Sequence, residues 1–163
     1  MKAGIFLSLG SNQGDRWTNL FDARKRIEKQ VGKIVKTSPI YSTAAWGVTD
    51  QPDFLNQVIE IQSTLSPGAV LERTHTIETS LGRIRTGKWG ARIIDIDILF
   101  FRDVVLNTGH LVLPHPQLPF RKFVLIPFVD IAPTVEHPVL HKKISELLET
   151  CPDQLAVTLF QED

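Results

Sequence analysis

Residues 93–101 read Ile93-Ile94-Asp95-Ile96-Asp97-Ile98-Leu99-Phe100-Phe101, a β-branched and aromatic run that holds two carboxylates. A run of this composition predicts a buried β-strand. Because side chains alternate between the faces of a strand, Asp95 and Asp97 are expected on one face, with Cα atoms about 6.5 to 7 Å apart. The opposite face is then expected to carry Ile94, Ile96, Ile98 and Phe100.

Two ionised carboxylates on a core strand are costly to bury unless cations neutralise them. One interpretation is a structural pair bound to Arg83 or Arg92. A divalent metal ion is the other, and residues 82–92 (GRIRTGKWGAR) favour it, since they hold four cations, three glycines and no acid. Like charges at this density suit a loop that surrounds an anion. Oxygen ligands for a hard metal ion beside a basic loop predict a polyphosphate site.

The composition limits the other classes of function. The chain of 163 residues is long enough for one domain, 1–163, with a core that needs no disulfide. Cys151 is its single cysteine, which favours a reducing cytoplasm. Lys plus Arg and Asp plus Glu number 18 each, so no overall basic charge indicates nucleic acid. The apolar first residues lack a signal-cleavage pattern, and the apolar stretch from Phe123 to Val129 is far below the roughly 20 residues that cross a bilayer. We therefore expect a soluble protein that binds neither nucleic acid nor membrane.

Strands and helices are expected to alternate along the first hundred residues. The pattern predicts a strand near residues 1–9, a strand over 33–41 that Pro39 interrupts, and a strand over 54–63. A helix is predicted over 16–31, with a buried stripe of Trp17, Leu20, Phe21, Ile27 and Val31. A second helix is predicted from the Ser66-Pro67 start to the Gly82 stop, with a buried stripe of Val70, Thr74, Ile77 and Leu81.

Shorter elements follow the carboxylate-bearing strand. We expect a turn at Arg102-Asp103, strands over 104–107 and 111–113, a helix over 123–131 and a helical turn over 144–148. The order strand, helix, strand, strand, helix, strand is that of a ferredoxin-like α+β sandwich. It consists of a mainly antiparallel sheet with helices packed on one face.

Several short motifs resemble one enzyme family when they are taken in order. Residues 88–99 (KWGARIIDIDIL) closely resemble the signature of the 6-hydroxymethyl-7,8-dihydropterin pyrophosphokinases of folate biosynthesis. The resemblance spans nearly the whole chain. It also includes residues 9–12 (LGSN), 43–47 (TAAWG), 50–56 (DQPDFLN), 77–78 (IE), 82–85 (GRIR), 113–116 (LPHP) and 121–123 (RKF).

The resemblance implies transfer of a pyrophosphoryl group from ATP to the pterin hydroxymethyl oxygen, with release of AMP. It implies that Asp95 and Asp97 hold two Mg²⁺ ions and that Arg83 and Arg92 bind the phosphates. Trp89 is expected to close over the site. The implied ATP-binding set is completed by His75, Glu78, Arg85, Ile98, His115 and Arg121.

The same resemblance implies a pterin site between aromatic side chains. Phe54 and Phe123 are expected to stack on the pterin faces, while Asn56, Thr43 and the Ala44-Ala45-Trp46 segment read its edge. From the residues alone, both phenylalanines also fit a core, Trp46 and Trp89 fit packing roles, and His115 fits a rigid turn between two prolines. Asn56 within a strand calls for a hydrogen-bond partner in either interpretation.

Two other classes of function remain open at the level of sequence. An Asp-x-Asp enzyme of this fold that transfers a single phosphoryl or a nucleotidyl group would release ADP or pyrophosphate. A binding module of the same fold would need no metal pair. Reaction products distinguish the first alternative, and magnesium-dependent turnover distinguishes the second.

Overall fold

The structure is a computed structural model that describes residues 4–44, 52–83 and 93–161. Its strands are β1 (Ile5–Ser11), β2 (Lys33–Thr37), β3 (Tyr41–Thr43), β4 (Phe54–Gln62), β5 (Asp95–Phe101), β6 (Leu106–Asn107), β7 (Val112–Leu113) and β8 (Val157–Leu159). Its α-helices are α1 (Arg16–Gln30), α2 (Pro67–Ser80), α3 (Lys122–Ile131) and α4 (Ile144–Glu149). A 3-10 turn, Leu118–Phe120, directly precedes α3.

Six strands form one antiparallel sheet in the order β5-β1-β4-β3-β8, with β2 also paired to β4. The expected break at Pro39 is present, since the chain leaves β2 at Thr37 and resumes as β3 at Tyr41. The prediction of an α+β sandwich on a mainly antiparallel sheet is confirmed. The single domain over 1–163 stays a prediction.

Helices cover both faces of the sheet, so the expectation of helices on one face was wrong. Helices α1 and α2 pack against one cluster of buried residues, which includes Leu7 and Ile59. Helices α3 and α4 pack against a second cluster on the other face, which includes Phe6 and Val58. Neighbouring positions of β1 and β4 are both buried, as expected for strands covered on two sides.

A register shift in β5 changes the predicted face of one residue. Phe6 pairs with Phe100 but Leu7 pairs with Ile98, so Leu99 is the extra residue of a β-bulge. Phe100 therefore packs in the cluster beneath α3, on the face of the two aspartates, instead of joining Ile96 and Ile98.

Both long helices begin where the sequence predicts, since Asp15 and Ser66 accept hydrogen bonds from the backbone of their first turns. The stripe of α1 differs at Phe21, which is 40% exposed and stacks on Trp17 at 5.5 Å between ring centroids. Ala23 is buried in its place. The stripe of α2 is buried as expected at Val70, Thr74 and Ile77, and Glu78 is buried with it.

The last third of the chain departs most from the sequence pattern. The expected strand over 104–107 is reduced to β6, which pairs only with β7. The helix and helical turn are confirmed as α3 and α4, but β8 was not predicted, because three residues ending in Leu159, which is 54% exposed, give no burial pattern. No helix among the described residues is long and apolar enough to cross a membrane.

Candidate functional site

The carboxylate pair lies on the face of the sheet that α3 covers. Asp95 pairs with Gly10 of β1 and Asp97 pairs with Ser8, while the intervening Ile96 side chain lies in the opposite core. Residues paired across neighbouring strands share a face, so the expected common face of the two aspartates is confirmed. Both are half-buried, at the end of an edge strand.

Arg83 is bound to two carboxylates at this edge. Its Nη1 donates to Glu78 Oε2 at 2.6 Å and to Asp95 Oδ1 at 2.9 Å. The same Glu78 oxygen accepts the Ile96 backbone N–H at 2.8 Å, on the side of β5 that no strand among the described residues covers. The structural alternative, in which an arginine pairs with Asp95, is therefore realised for Arg83, while Arg92 lies outside the described residues.

The end of α2 places Arg83 there. Gly82 has a φ of +95°, its N–H donates to the Thr79 carbonyl, and the Arg83 N–H donates to the Glu78 carbonyl. These are the bonds of a Schellman motif, which favours glycine at the left-handed position. The expected glycine stop thus reverses the chain and returns the Arg83 side chain to Glu78.

The electrostatics of this edge reflect burial. Burial raises the pKa of Glu78 to about 7, against the opposing effects of the Ile96 N–H and of Arg83. Within the described part of the chain, Arg83 Nε is buried without a hydrogen-bond partner. A buried guanidinium N–H without a partner is costly, and an anionic oxygen would satisfy it.

Three residues expected at a pterin site, Thr43, Phe54 and Asn56, lie side by side on β3 and β4. Asn56 pairs with Tyr41 and with Gly10, and Phe54 pairs with Thr43. The Asn56 Nδ2 donates to Thr43 Oγ1 at 3.2 Å, and both residues are buried. A Cβ at Gly10 would lie 3.1 Å from Asn56 Oδ1. Ala44 follows Thr43 and is exposed.

Residues 115–123 contribute three further members from the side of α3. His115 donates its backbone N–H to the Leu99 carbonyl, which fixes it beside β5, and its Nδ1 accepts the Gln117 N–H at 3.1 Å. The neutral ring therefore carries its proton on Nε2. Burial lowers the pKa of His115 to about 4, Arg121 lowers it further, and Asp95 opposes the shift. The Arg121 guanidinium carbon lies 5.7 Å from the Phe123 ring centroid.

The remaining expected residues are less tightly grouped. Ile98 is 4% exposed with its side chain in the core beneath α1 and α2, and His75 is an exposed residue of α2. Five predicted residues lie outside the described ranges: Ala45, Trp46, Arg85, Trp89 and Arg92.

The donor set at β5 fits magnesium. Two hard carboxylate oxygen donors share a face, and nucleotide-bound Mg²⁺ is held by one or two carboxylates together with substrate phosphates and water. Within residues 4–44, 52–83 and 93–161, no group of three or more His, Cys, Asp or Glu side chains forms a metal cluster. A magnesium site that phosphate oxygens complete does not require such a cluster.

Three supporting residues were missed from the sequence. Asp153 binds the backbone of Lys122, Tyr41 donates its hydroxyl proton to Asp130 of α3, and Asn12 is fully buried, with its Nδ2 3.3 Å from the Pro52 carbonyl. Residues 9–12 belong to the family resemblance, but the sequence gives no signal for the partner of Asn12. Asp153 sits in a proline-containing tail, and the sequence has no local signal for its partner 31 residues away.

The described strands and helices form an α+β sandwich, a fold that solved structures also show. The HPPK-DHPS structure in complex with substrates aligns with a TM-score of 0.72 and 16% identity, over 92% of this chain and 43% of that one. Wild-type Plasmodium falciparum HPPK-DHPS with pteroate aligns with a TM-score of 0.72 and 17% identity, over 91% of this chain and 42% of that one. The chain thus spans less than half of these solved chains, and the likeness concerns the fold.

Sequence comparison identifies the family. The family model for 7,8-dihydro-6-hydroxymethylpterin-pyrophosphokinase matches residues 6–133. The 2-amino-4-hydroxy-6-hydroxymethyldihydropteridine pyrophosphokinase of Aquifex aeolicus is 40% identical over 88% of this chain and 89% of its own length. The Bacillus subtilis enzyme of the same name is 42% identical over 80% of this chain and 79% of its own length. The chain belongs to the 7,8-dihydro-6-hydroxymethylpterin-pyrophosphokinase family.

Proposed function

We propose that this chain performs the family reaction with Asp95 and Asp97 as its metal-binding pair. The reaction transfers a pyrophosphoryl group from ATP to 6-hydroxymethyl-7,8-dihydropterin in folate biosynthesis. The hydroxymethyl oxygen forms a bond to the β-phosphorus, the bond from that phosphorus to the bridging oxygen of AMP breaks, and the hydroxyl proton is lost. The products are AMP and the pterin diphosphate ester.

The observation that carries the assignment is the common face of Asp95 and Asp97 beside the half-buried Arg83. Bound there, two Mg²⁺ ions supply charge neutralisation for the polyphosphate, which lowers the repulsion that an attacking oxygen meets. Arg83 binds phosphate through its buried Nε, while Glu78 keeps the guanidinium at the edge of β5. His115 donates from Nε2 to a phosphate oxygen, and Arg121 adds positive charge beside it.

The adenosine part of ATP lies along the open edge of β5. The Ile96 N–H points away from β1, toward Glu78. Backbone groups two residues apart on a strand point in the same direction. The N–H and carbonyl of Ile98 are therefore available at this edge. The contact of Ile98 is therefore through the backbone. His75, three residues before Glu78 on α2, contributes from the same side. Arg85, Trp89 and Arg92, which lie outside the described residues, complete the proposed ATP-binding set.

The pterin lies between β4 and α3. Phe54 and Phe123 stack on its faces, and the Asn56 amide reads its edge with Thr43 and the Ala44-Ala45-Trp46 segment. The bond from Asn56 Nδ2 to Thr43 Oγ1 fixes the orientation of the amide. Asn56 and Asp95 both pair with Gly10, from opposite sides of β1, so they are about two strand spacings, roughly 10 Å, apart. This separation suits a substrate whose hydroxymethyl group extends toward the metal pair.

Phosphorus NMR of the reaction mixture tests this function. With Mg²⁺, ATP and 6-hydroxymethyl-7,8-dihydropterin, AMP and the pterin diphosphate ester should form in equal amounts, and chelation of the metal should stop the reaction. ADP with a monophosphate ester would instead identify a phosphoryl-transferring kinase. No turnover with any nucleotide would identify a binding module. Cytoplasmic location and the lack of nucleic-acid or membrane binding stay predictions.

A further inference from the structure

The segment from Asp153 to Phe160 contacts both walls of the proposed pterin site. At its start it is bound to the first turn of α3, which leads to Phe123. At its end it forms β8 on the outer edge of β3, which carries Thr43. No other described segment is paired with that edge of β3.

The contact with α3 is made by a buried carboxylate. Asp153 is 7% exposed, its Oδ2 accepts the Lys122 N–H at 3.0 Å, and its Oδ1 accepts the Leu155 N–H at 3.0 Å. Lys122 is the first residue of α3, so its N–H has no partner within the helix. The preceding residue, Arg121, provides no side-chain cap. Asp153 thus caps α3 from a distant part of the chain, where the helix dipole also favours its charge.

The capped residue stands between two proposed ligand-binding residues. Lys122 separates Arg121, assigned to phosphate, from Phe123, assigned to the pterin face, and the Arg121 and Phe123 side chains contact each other. The hydrogen bond to the Lys122 N–H therefore fixes the backbone from which the Arg121 and Phe123 side chains extend.

The contact with β3 continues the same segment. Val157 pairs with Thr43 and Leu159 pairs with Tyr41, and the Phe160 N–H donates to the Ile40 carbonyl at 2.9 Å. Tyr41 in turn donates its hydroxyl proton to Asp130 near the end of α3. Helix α3 is thereby attached to the β3 side at both of its ends.

We propose that Asp153 is a positioning residue for substrate binding, because it fixes the spacing between Phe123 on α3 and the Thr43–Asn56 pair on the sheet. This inference rests on the proposed function. Asp153 touches neither substrate in this role; it acts through the Lys122 backbone. Its loss should weaken pterin binding more than it slows the chemical step, since its side-chain hydrogen bonds are to Lys122 and Leu155, whereas Asp95 and Asp97 lie on β5.

Steady-state kinetics of Asp153→Ala tests the proposal, with Glu146→Ala as the matched control. Glu146 is also a capping carboxylate, which is exposed and accepts the Lys143 N–H at 3.0 Å at the start of α4. We expect the pterin KM of Asp153→Ala to rise about tenfold, the loss expected for one charge-assisted hydrogen bond, with kcat within about threefold of wild type. Glu146→Ala should keep the wild-type pterin KM even if its melting temperature falls as much as that of Asp153→Ala.

Each result decides the proposal. A folded Asp153→Ala protein with an unchanged pterin KM, or an equal KM increase in Glu146→Ala, would overturn it. If Asp153→Ala does not fold, Asp153→Asn replaces it, because Lys122 and Leu155 donate to different carboxylate oxygens and an amide keeps only one of the two. Its pterin KM must then rise at least about threefold. Absence of AMP formation by the wild-type protein would instead refute the proposed function itself.

Discussion

Glu78 and Arg83 contact each other twice, through the backbone and through their side chains. The Arg83 N–H donates to the Glu78 carbonyl at 3.0 Å, and Arg83 Nη1 donates to the Glu78 carboxylate at 2.6 Å. Because the same carboxylate oxygen accepts the Ile96 N–H, the end of α2 is joined to the strand that carries the two aspartates. The arginine beside Asp95 is thus held by a buried group rather than by solvent-exposed contacts.

Glu78→Gln should lower kcat/KM about tenfold and reduce the free energy of unfolding by about 1–3 kcal/mol, because it leaves Arg83 less neutralised in a buried site. The glutamine oxygen still accepts from Ile96. Glu72→Gln on the exposed side of α2 is the control and should match wild type. Coupled AMP assays and denaturant unfolding provide the measurements. Equal kinetics for the two variants would show that Glu78 does not position Arg83.

Asp95→Asn and Asp97→Asn should each lower turnover by at least about a thousandfold, since each removes an anionic metal ligand at nearly constant volume. Their melting temperatures should equal or exceed that of wild type, because a charge is removed from a partly buried face. Asp103→Asn, in the exposed turn after β5, should leave turnover unchanged. Near-normal magnesium-dependent turnover in both site variants would exclude the metal assignment.

Gly10→Ala should raise the pterin KM about tenfold, because the added Cβ would lie 3.1 Å from Asn56 Oδ1, so that the amide must shift by a few tenths of an ångström from its position beside Thr43. Gly68→Ala is the control: nothing lies within 4 Å of its added Cβ, and alanine is the better helix former in the first turn of α2. Its KM should be unchanged and its melting temperature equal or higher. A normal KM for Gly10→Ala would argue against Asn56 as the group that reads the pterin edge.

The sequence predicts this fold well where local patterns dominate. Alternation along β5, the Ser66-Pro67 start and the Gly82 stop are local signals, and the structure follows each of them. The bulge at Leu99 has no such signal, because it depends on the register with β1. The burial of Glu78 and the cap from Asp153 depend on segments far apart in the chain. The sequence therefore indicates which residues carry the chemistry more readily than which residues hold them in place.

His115 should make the protein lose stability in mild acid. Its folded-state pKa is lowered from 6.5 to about 4 by burial and by Arg121, with Asp95 opposing, so the unfolded chain binds the proton first. The contribution of this histidine is fully present above about pH 6.5 and is lost as the pH falls toward 4. In His115→Gln, the free energy of unfolding should therefore fall less steeply between pH 7 and 4.5 than in wild type.

His110→Gln, at an exposed position, serves as the control and should keep the wild-type slope. Denaturant unfolding at several pH values measures the slopes, and identical slopes for wild type and His115→Gln would show that a buried neutral imidazole at this position is not what limits acid stability.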